Sequence, residues 1–507
     1  MNEWAILATV ALWLFFGLLT LIQFRPALQR SAKGSLIALA LIALVLSGCG
    51  DVSTGISARQ KAVRSTDSNV RFTSCAASCT GEIDGAKYAI KLPQKWNGTL
   101  LLYSHGYRFA QPGPPDFGPV STAAQVSSTD SDGTGSDELS SKLLADGYAL
   151  AGSSYKSNGW AVADGVAAGV ALHDKFVTLV GKPKRTYVWG DSLGGLITEI
   201  IAEENPSWVD GAAPMCGAVA GPNLNFDAAL DVAFAIKTLI DPNLKLTGYA
   251  SSDEANANWK SAAQAVVAAA SDVAHGGTAK VLFIAALVNA PSRTQTYDGH
   301  DTESQVKATV EALLTALAFG TAGRYELEQR VGGNPSGNEG TDYATRITDS
   351  ENSLVDTVGG NAAQYEQALA DAPRITPDDA ARTAFEKLGD TTGDLHAPTL
   401  TLHTEADPLV LVANESVLAQ RVHKHHDDGL LAQLYAKAPQ VYSESTGAPY
   451  GAGHCNFSEQ QRLGLVSTLD KWVRQGVYPV PVGVAAAFGP GIDVTYTPGT
   501  WPSEATP

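Results

Sequence analysis

The clearest chemistry in the chain lies in Gly190-Asp191-Ser192-Leu193-Gly194, a serine with a glycine two residues away on either side. Apolar residues 187–189 lead into it as a short strand. The pattern Leu196-Ile197-Ile200-Ile201 leaves it as a helix that Asn205-Pro206 ends. This is the strand–turn–helix setting in which a G-x-S-x-G serine acts as a nucleophile. A serine at the tip of so tight a turn takes a strained backbone, and the glycines let neighbouring chain come close. The helix begins at the serine, so its positive end and the Leu193 N–H face the place where an oxyanion would form. Such a serine needs a base, and the base needs a carboxylate behind it. His454 is the expected base, in a glycine-rich loop that runs from Gly447 to Gly453 and ends in His454-Cys455-Asn456-Phe457. Asp407 is the expected acid, in Thr404-Glu405-Ala406-Asp407-Pro408-Leu409-Val410 after the apolar run 398–403, with Glu405 in the same loop as the alternative. Serine, then acid, then histidine is one of the chain orders known for such triads.

A second oxyanion donor is expected from Tyr107. Its N–H follows His105-Gly106 at the end of the apolar strand 99–104. The run His423-Lys424-His425-His426-Asp427-Asp428 has metal-binding residue types, but it sits in a charged patch between two expected helical segments and reads as a solvated helix end. No metal and no organic cofactor is called for.

The elements that must position these residues alternate. Strands are expected at 87–92, 99–104, 148–153, 187–189, 211–216, 398–403 and 442–444, with helices at 138–145 and 162–180 and after Ser192. That alternation implies a mostly parallel sheet flanked by helices, with its site at the carboxyl ends of the strands. Ser458 with Gln461 resembles a capping box opening a last helix whose apolar face holds Leu465, Val466, Leu469, Trp472 and Val473. Residues 223–394 break the rhythm with alanine-rich helical segments at 262–270, 306–319 and 362–370, and read as a helical cap inserted before the acid-bearing strand, or as a separate helical domain.

Residues 4–22 form an uncharged apolar run long enough to span a bilayer. Arg25, Arg30 and Lys33 then precede a shorter apolar run and Leu46-Ser47-Gly48-Cys49, which resembles the lipobox of bacterial lipoproteins, with Cys49 as the lipidated residue. Residues 25–49 already make a complete export signal, so the earlier run is either an extra span or lies upstream of the true start. The expected organisation is a signal or membrane segment over 1–48, a tether over 49–70, core segments over 71–222 and 395–476 around the cap at 223–394, and a Pro/Gly-rich tail over 477–507 that wraps the surface. Of the remaining cysteines, Cys75 and Cys79 are close enough for a local loop, which leaves Cys216 with Cys455; free buried cysteines are the alternative. The 507 residues carry a net charge of -17. So acidic a chain argues against nucleic acid and anionic lipid surfaces as partners.

His105-Gly106, the Ser192 elbow, Asp407-Pro408-Leu409-Val410 and Gly453-His454-Cys455 together resemble the α/β-hydrolase superfamily over roughly residues 80–220 and 395–475. The overall shape looks like secreted bacterial serine esterases. Cys455 directly after the histidine resembles tannase/feruloyl-esterase-type enzymes, in which a disulfide ties the histidine loop near the nucleophile. In that family the partner cysteine precedes the serine. Asp191 stands there in this chain, so Cys216 would have to substitute. The resemblance implies an α/β-hydrolase fold, a small-molecule ester substrate and a membrane-tethered or secreted serine hydrolase. A peptidase on the same triad and an inert surface binding protein are the alternatives.

Overall fold

The computed structural model describes residues 75–126, 137–294, 297–441, 450–489 and 491–501. The expected signal segment, Cys49, the tether and the strand at 442–444 lie outside the described residues. In chain order the first elements are strands β1 (Ser78–Ile83), β2 (Ala86–Lys91) and β3 (Thr99–Ser104), helix α1 (Asp137–Ala145), β4 (Ala149–Ser153), helix α2 (Val162–Leu179), β5 (Arg185–Asp191), helix α3 (Leu193–Glu204) and β6 (Gly211–Met215). Helices alone follow: α4 (Pro222–Leu239), α5 (Ser252–Ser271), α6 (Gly277–Leu287), α7 (Thr302–Gly320), α8 (Ala322–Val331), α9 (Asp349–Thr357), α10 (Ala362–Asp371) and α11 (Asp379–Glu386), with a short 3-10 turn at Tyr343–Arg346. The strand pattern then resumes with β7 (Thr399–Thr404), α12 (Asn414–His425), β8 (Leu431–Ala436), α13 (Glu459–Gln475), α14 (Pro481–Phe488) and β9 (Ile492–Asp493).

Among the described residues the strands form one sheet in the order β1-β2-β4-β3-β5-β6-β7-β8-β9. From β4 to β8 every neighbouring pair is parallel, while β1, β2 and β9 join the two edges antiparallel. From β3 the chain crosses to β4 on one side and then to β5 on the other. The carboxyl ends of β3 and β5 therefore flank the crevice where such sheets hold their sites.

Alternate strand residues face opposite ways and build two cores. Leu100, Leu102 and Val188 meet α2 and α3 on one face. Leu101, Tyr103, Tyr187 and Trp189 meet α1 and α13 on the other. The helices between β6 and β7 have a further core of their own around Phe234, Phe283 and Leu313. Ser458 caps α13 in a reciprocal box with Gln461. This mostly parallel sheet covered on both faces, with a serine turn after β5, is the α/β-hydrolase fold.

Three expectations need correction. The charged run at 423–428 does not lie between two helices: α12 precedes it and β8 follows, because Leu431, Ala432, Leu434 and Tyr435 are buried in the sheet. The amino-terminal edge gains β1, a largely exposed strand with no alternating apolar pattern. The tail does more than wrap the surface, since it supplies α14, β9 and the buried Trp501.

Candidate active site

Ser192 stands at the junction of β5 and α3 with φ 58° and ψ -123°, a conformation that costs a non-glycine residue about 1–3 kcal/mol. The glycines around it are required by contact. A Cβ on Gly190 would lie 2.4 Å from the Ser104 carbonyl oxygen, and one on Gly194 would lie 2.0 Å from the same atom. The elbow therefore packs directly on the chain leaving β3, and the Ser192 N–H donates to the Met215 carbonyl at 2.9 Å.

The structure brings Ser192, His454 and Asp407 together. Ser192 Oγ lies 2.8 Å from His454 Nε2, placed to donate its proton there. His454 Nδ1 donates to Asp407 at 2.8 Å to Oδ2 and 3.0 Å to Oδ1. The N–H groups of Leu409 and Val410 each donate to Asp407 Oδ1 at 2.9 Å. Burial is the largest influence on the Asp407 carboxyl and opposes its ionisation, yet His454, His403 and these N–H donors hold it below the ordinary carboxylate value. The acid and histidine loops are tied by Gly453 N–H to the Ala406 carbonyl at 2.9 Å and Thr404 Oγ1 to the Gly453 carbonyl at 2.9 Å. Glu405, the alternative acid, instead accepts from the Ala438 N–H at 2.9 Å.

Tyr107 and Leu193 line the same cavity as Ser192. Leu193 opens α3, where a helix N–H has no partner inside the helix and is free to face a ligand. His105 is not a second base: burial and the nearby Arg108 charge push it down to about 3, and it stacks on Tyr155 at 3.8 Å.

Both cysteine pairs are joined, Cys75 to Cys79 and Cys216 to Cys455. The second ties the residue after β6 to the residue after His454, so it pins the histidine loop to the sheet beside the elbow. Among the described residues the one three-residue grouping with metal-ligating types is Cys216, His454 and Cys455, and its two sulfurs are spent on the disulfide. The run at 423–428 caps α12 at the surface, with His423 Nδ1 3.0 Å from Asp428.

Several supporting residues were missed in the sequence. Arg462 on α13 donates to Asp191 Oδ1 at 2.7 Å, and Tyr103 donates to Asp191 Oδ2 at 2.6 Å. Arg462 also reaches the Cys455 carbonyl at 3.3 Å, linking elbow and histidine loop. Its signal was available: Arg462 falls three and four residues before Leu465 and Val466, on the apolar stripe. Behind the acid, His403 lies fully buried between Val410, Glu415 and Asp407.

The cavity over Ser192 holds about 780 Å³, within the size range of small-molecule pockets. Phe226 and Val232 of α4, Ala312 and Phe319 of α7, and Trp160 give it apolar walls, and no charged side chain lines it among the described residues.

No protein-family model matches the chain, and no curated protein matches it. Solved structures are similar at low identity. An esterase from Aspergillus oryzae is 14% identical, with 78% of each chain covered and a TM-score of 0.37. Feruloyl esterase B from Aspergillus oryzae is 12% identical over 80% of each chain, TM-score 0.35. A proline iminopeptidase from Mycobacterium smegmatis is 14% identical over 79% of this chain and 98% of its own, TM-score 0.32.

Proposed function

We propose that the protein is a serine hydrolase that cleaves carboxylic esters by two-step acyl transfer. The observation that carries this reading is the unbroken chain from Ser192 Oγ through His454 to Asp407, at the floor of an apolar cavity. His454 takes the Ser192 proton as the oxygen attacks the ester carbonyl, and the Asp407 carboxylate holds the imidazole in the right tautomer and offsets its charge. The N–H groups of Leu193 and Tyr107 receive the oxyanion. The alkoxide leaves with the proton from His454, and water activated by the same imidazole releases the acid and restores Ser192. The uncharged cavity favours an ester over a substrate with a free amino terminus, because a buried ammonium needs a carboxylate partner.

The test is hydrolysis of a p-nitrophenyl ester series from acetate to palmitate beside aminoacyl-nitroanilides, each with Ser192→Ala as control. Ester turnover that depends on Ser192 is expected. Turnover of anilides alone would move the assignment to a peptidase, and ester turnover that survives Ser192→Ala would remove the triad.

We further propose export and anchoring through a lipid on Cys49. The lipobox-like Leu46-Ser47-Gly48-Cys49 supports this, and so do two disulfides, which persist in oxidising compartments. Labelled palmitate should enter the wild-type chain and not Cys49→Ser.

A further inference from the structure

A second cavity, of about 1490 Å³, adjoins the one over Ser192. The two differ in chemistry. The first has no charged lining, whereas the second is lined by Asp227, Asp231, Asp342, Arg346 and Arg382 among others. They share Ala228 of α4, Val288 just after α6, and Trp501. Two of these are small, so the indole of Trp501 is the bulk that stands where the cavities meet.

Trp501 comes from the carboxyl-terminal strap, far in sequence from the helices that form the rest of the wall. The strap leaves the sheet at β9, which pairs with β8, and Tyr496 packs on Tyr435 with ring centroids 5.0 Å apart. It crosses α12, where Ser416 Oγ donates to the Gly499 carbonyl at 2.7 Å. It then seats the indole against Ala220, Leu224, Ala413 and Val417, leaving Trp501 2% exposed. A Trp held from three directions is a fixed wall.

We propose that Trp501 is a specificity-determining residue: it closes the apolar pocket and sets the longest acyl chain, or the bulkiest apolar alcohol, that an ester substrate can bury beside Ser192. This inference rests on the esterase reading. With the indole in place, a chain longer than the pocket would have to stay in water. Without it, the pocket runs on into the second cavity and further methylenes can be buried, each worth about fourfold in kcat/KM.

Trp501→Ala, Trp501→Phe and the wild type are compared on two series of rising chain length, p-nitrophenyl esters and alkyl fluorophosphonates that label Ser192. The expected result is an optimum displaced toward longer chains by about fourfold per added methylene in Trp501→Ala, with Trp501→Phe between. Ala228→Phe fills the same junction from α4 and should displace the optimum toward shorter chains, which covers the case in which Trp501→Ala fails to fold. An unchanged optimum in a folded Trp501→Ala, or in Ala228→Phe, would overturn the inference. Failure of the esterase reading looks different: wild-type esters are not turned over, while the fluorophosphonate series still reports whether Trp501 limits chain length. If Ser192 reacts with neither series, both are overturned.

Discussion

Arg462 Nη1 lies 2.7 Å from Asp191 Oδ1, and the two side chains are 4% and 3% exposed. The pair joins the last long helix to the residue before Ser192, at the position where the resembling family carries a cysteine. Breaking a buried pair strands one charge, so Arg462→Met should cost roughly 3–5 kcal/mol in urea unfolding. Asp191→Asn/Arg462→Met removes both charges and should recover part of that loss. A double variant as unstable as Arg462→Met would mean that the pair's packing matters and its charge does not.

The Cys216–Cys455 bond closes a sequence separation of 239 residues, against 4 for Cys75–Cys79. Long closures restrict the unfolded chain more, so Cys216→Ser/Cys455→Ser should lose roughly 2–4 kcal/mol and Cys75→Ser/Cys79→Ser clearly less. Because Cys455 adjoins His454, the first variant should also lower kcat more than it alters KM. Equal unfolding midpoints and equal kcat in the two variants would contradict this.

Ser192, His454 and Asp407 were legible because each sits in a local pattern with a steric cause. Gly190 and Gly194 are forced by the Ser104 carbonyl, and the acid and histidine follow late strands in glycine- or proline-marked loops. Strand β8, Leu431-Ala432-Gln433-Leu434-Tyr435-Ala436, was not legible, since six residues rich in Leu, Ala and Gln suit helix as well as strand and only pairing to β7 decides. Strand β1 is carried by its pairing with β2 and has little burial to announce it. Arg462 and Trp501 act through contacts with residues far away in sequence, and no window of neighbours contains those.

His403 donates from Nε2 to the Val410 carbonyl at 2.9 Å, and its Nδ1 faces Glu415 Oε1 at 3.1 Å. Burial alone would push its pKa down, but the Glu415 bond and the Glu415 and Asp407 charges outweigh it, and the net shift is upward. With acceptors at both nitrogens the ring is an imidazolium, 3.7 Å from Asp407. A raised histidine stabilises the fold fully below its unfolded value of about 6.5 and loses that contribution as pH climbs through the folded one. His403→Gln should therefore be most destabilised relative to wild type near pH 5.5, with the gap closing at alkaline pH. Its kcat should fall on the order of tenfold as Asp407 loses a supporting charge, one pKa unit being worth that factor. A stability gap that widens with pH would refute the cationic assignment.

Glu199 sits on α3 with 0% exposure, and neither carboxylate oxygen has a hydrogen-bond partner among the described residues. Burial first, then the nearby Glu203 and Glu415, raise its pKa well above the usual carboxylate value, so the folded protein holds it protonated. In the unfolded chain the same group ionises near pH 4.3. The sign follows: the native state binds the extra proton, so its stability is intact below that pH and declines by about 1.4 kcal/mol per unit as pH rises toward the folded value. Glu199→Gln keeps the shape and cannot ionise. It should match wild type in urea unfolding near pH 4.5 and exceed it by a margin that grows through pH 6 and pH 8. Activity on the preferred ester should change little, because Glu199 touches neither Ser192 nor the cavity above it. A margin that stays constant with pH would show that Glu199 is already ionised in the folded protein, stabilised by a partner outside the contacts described.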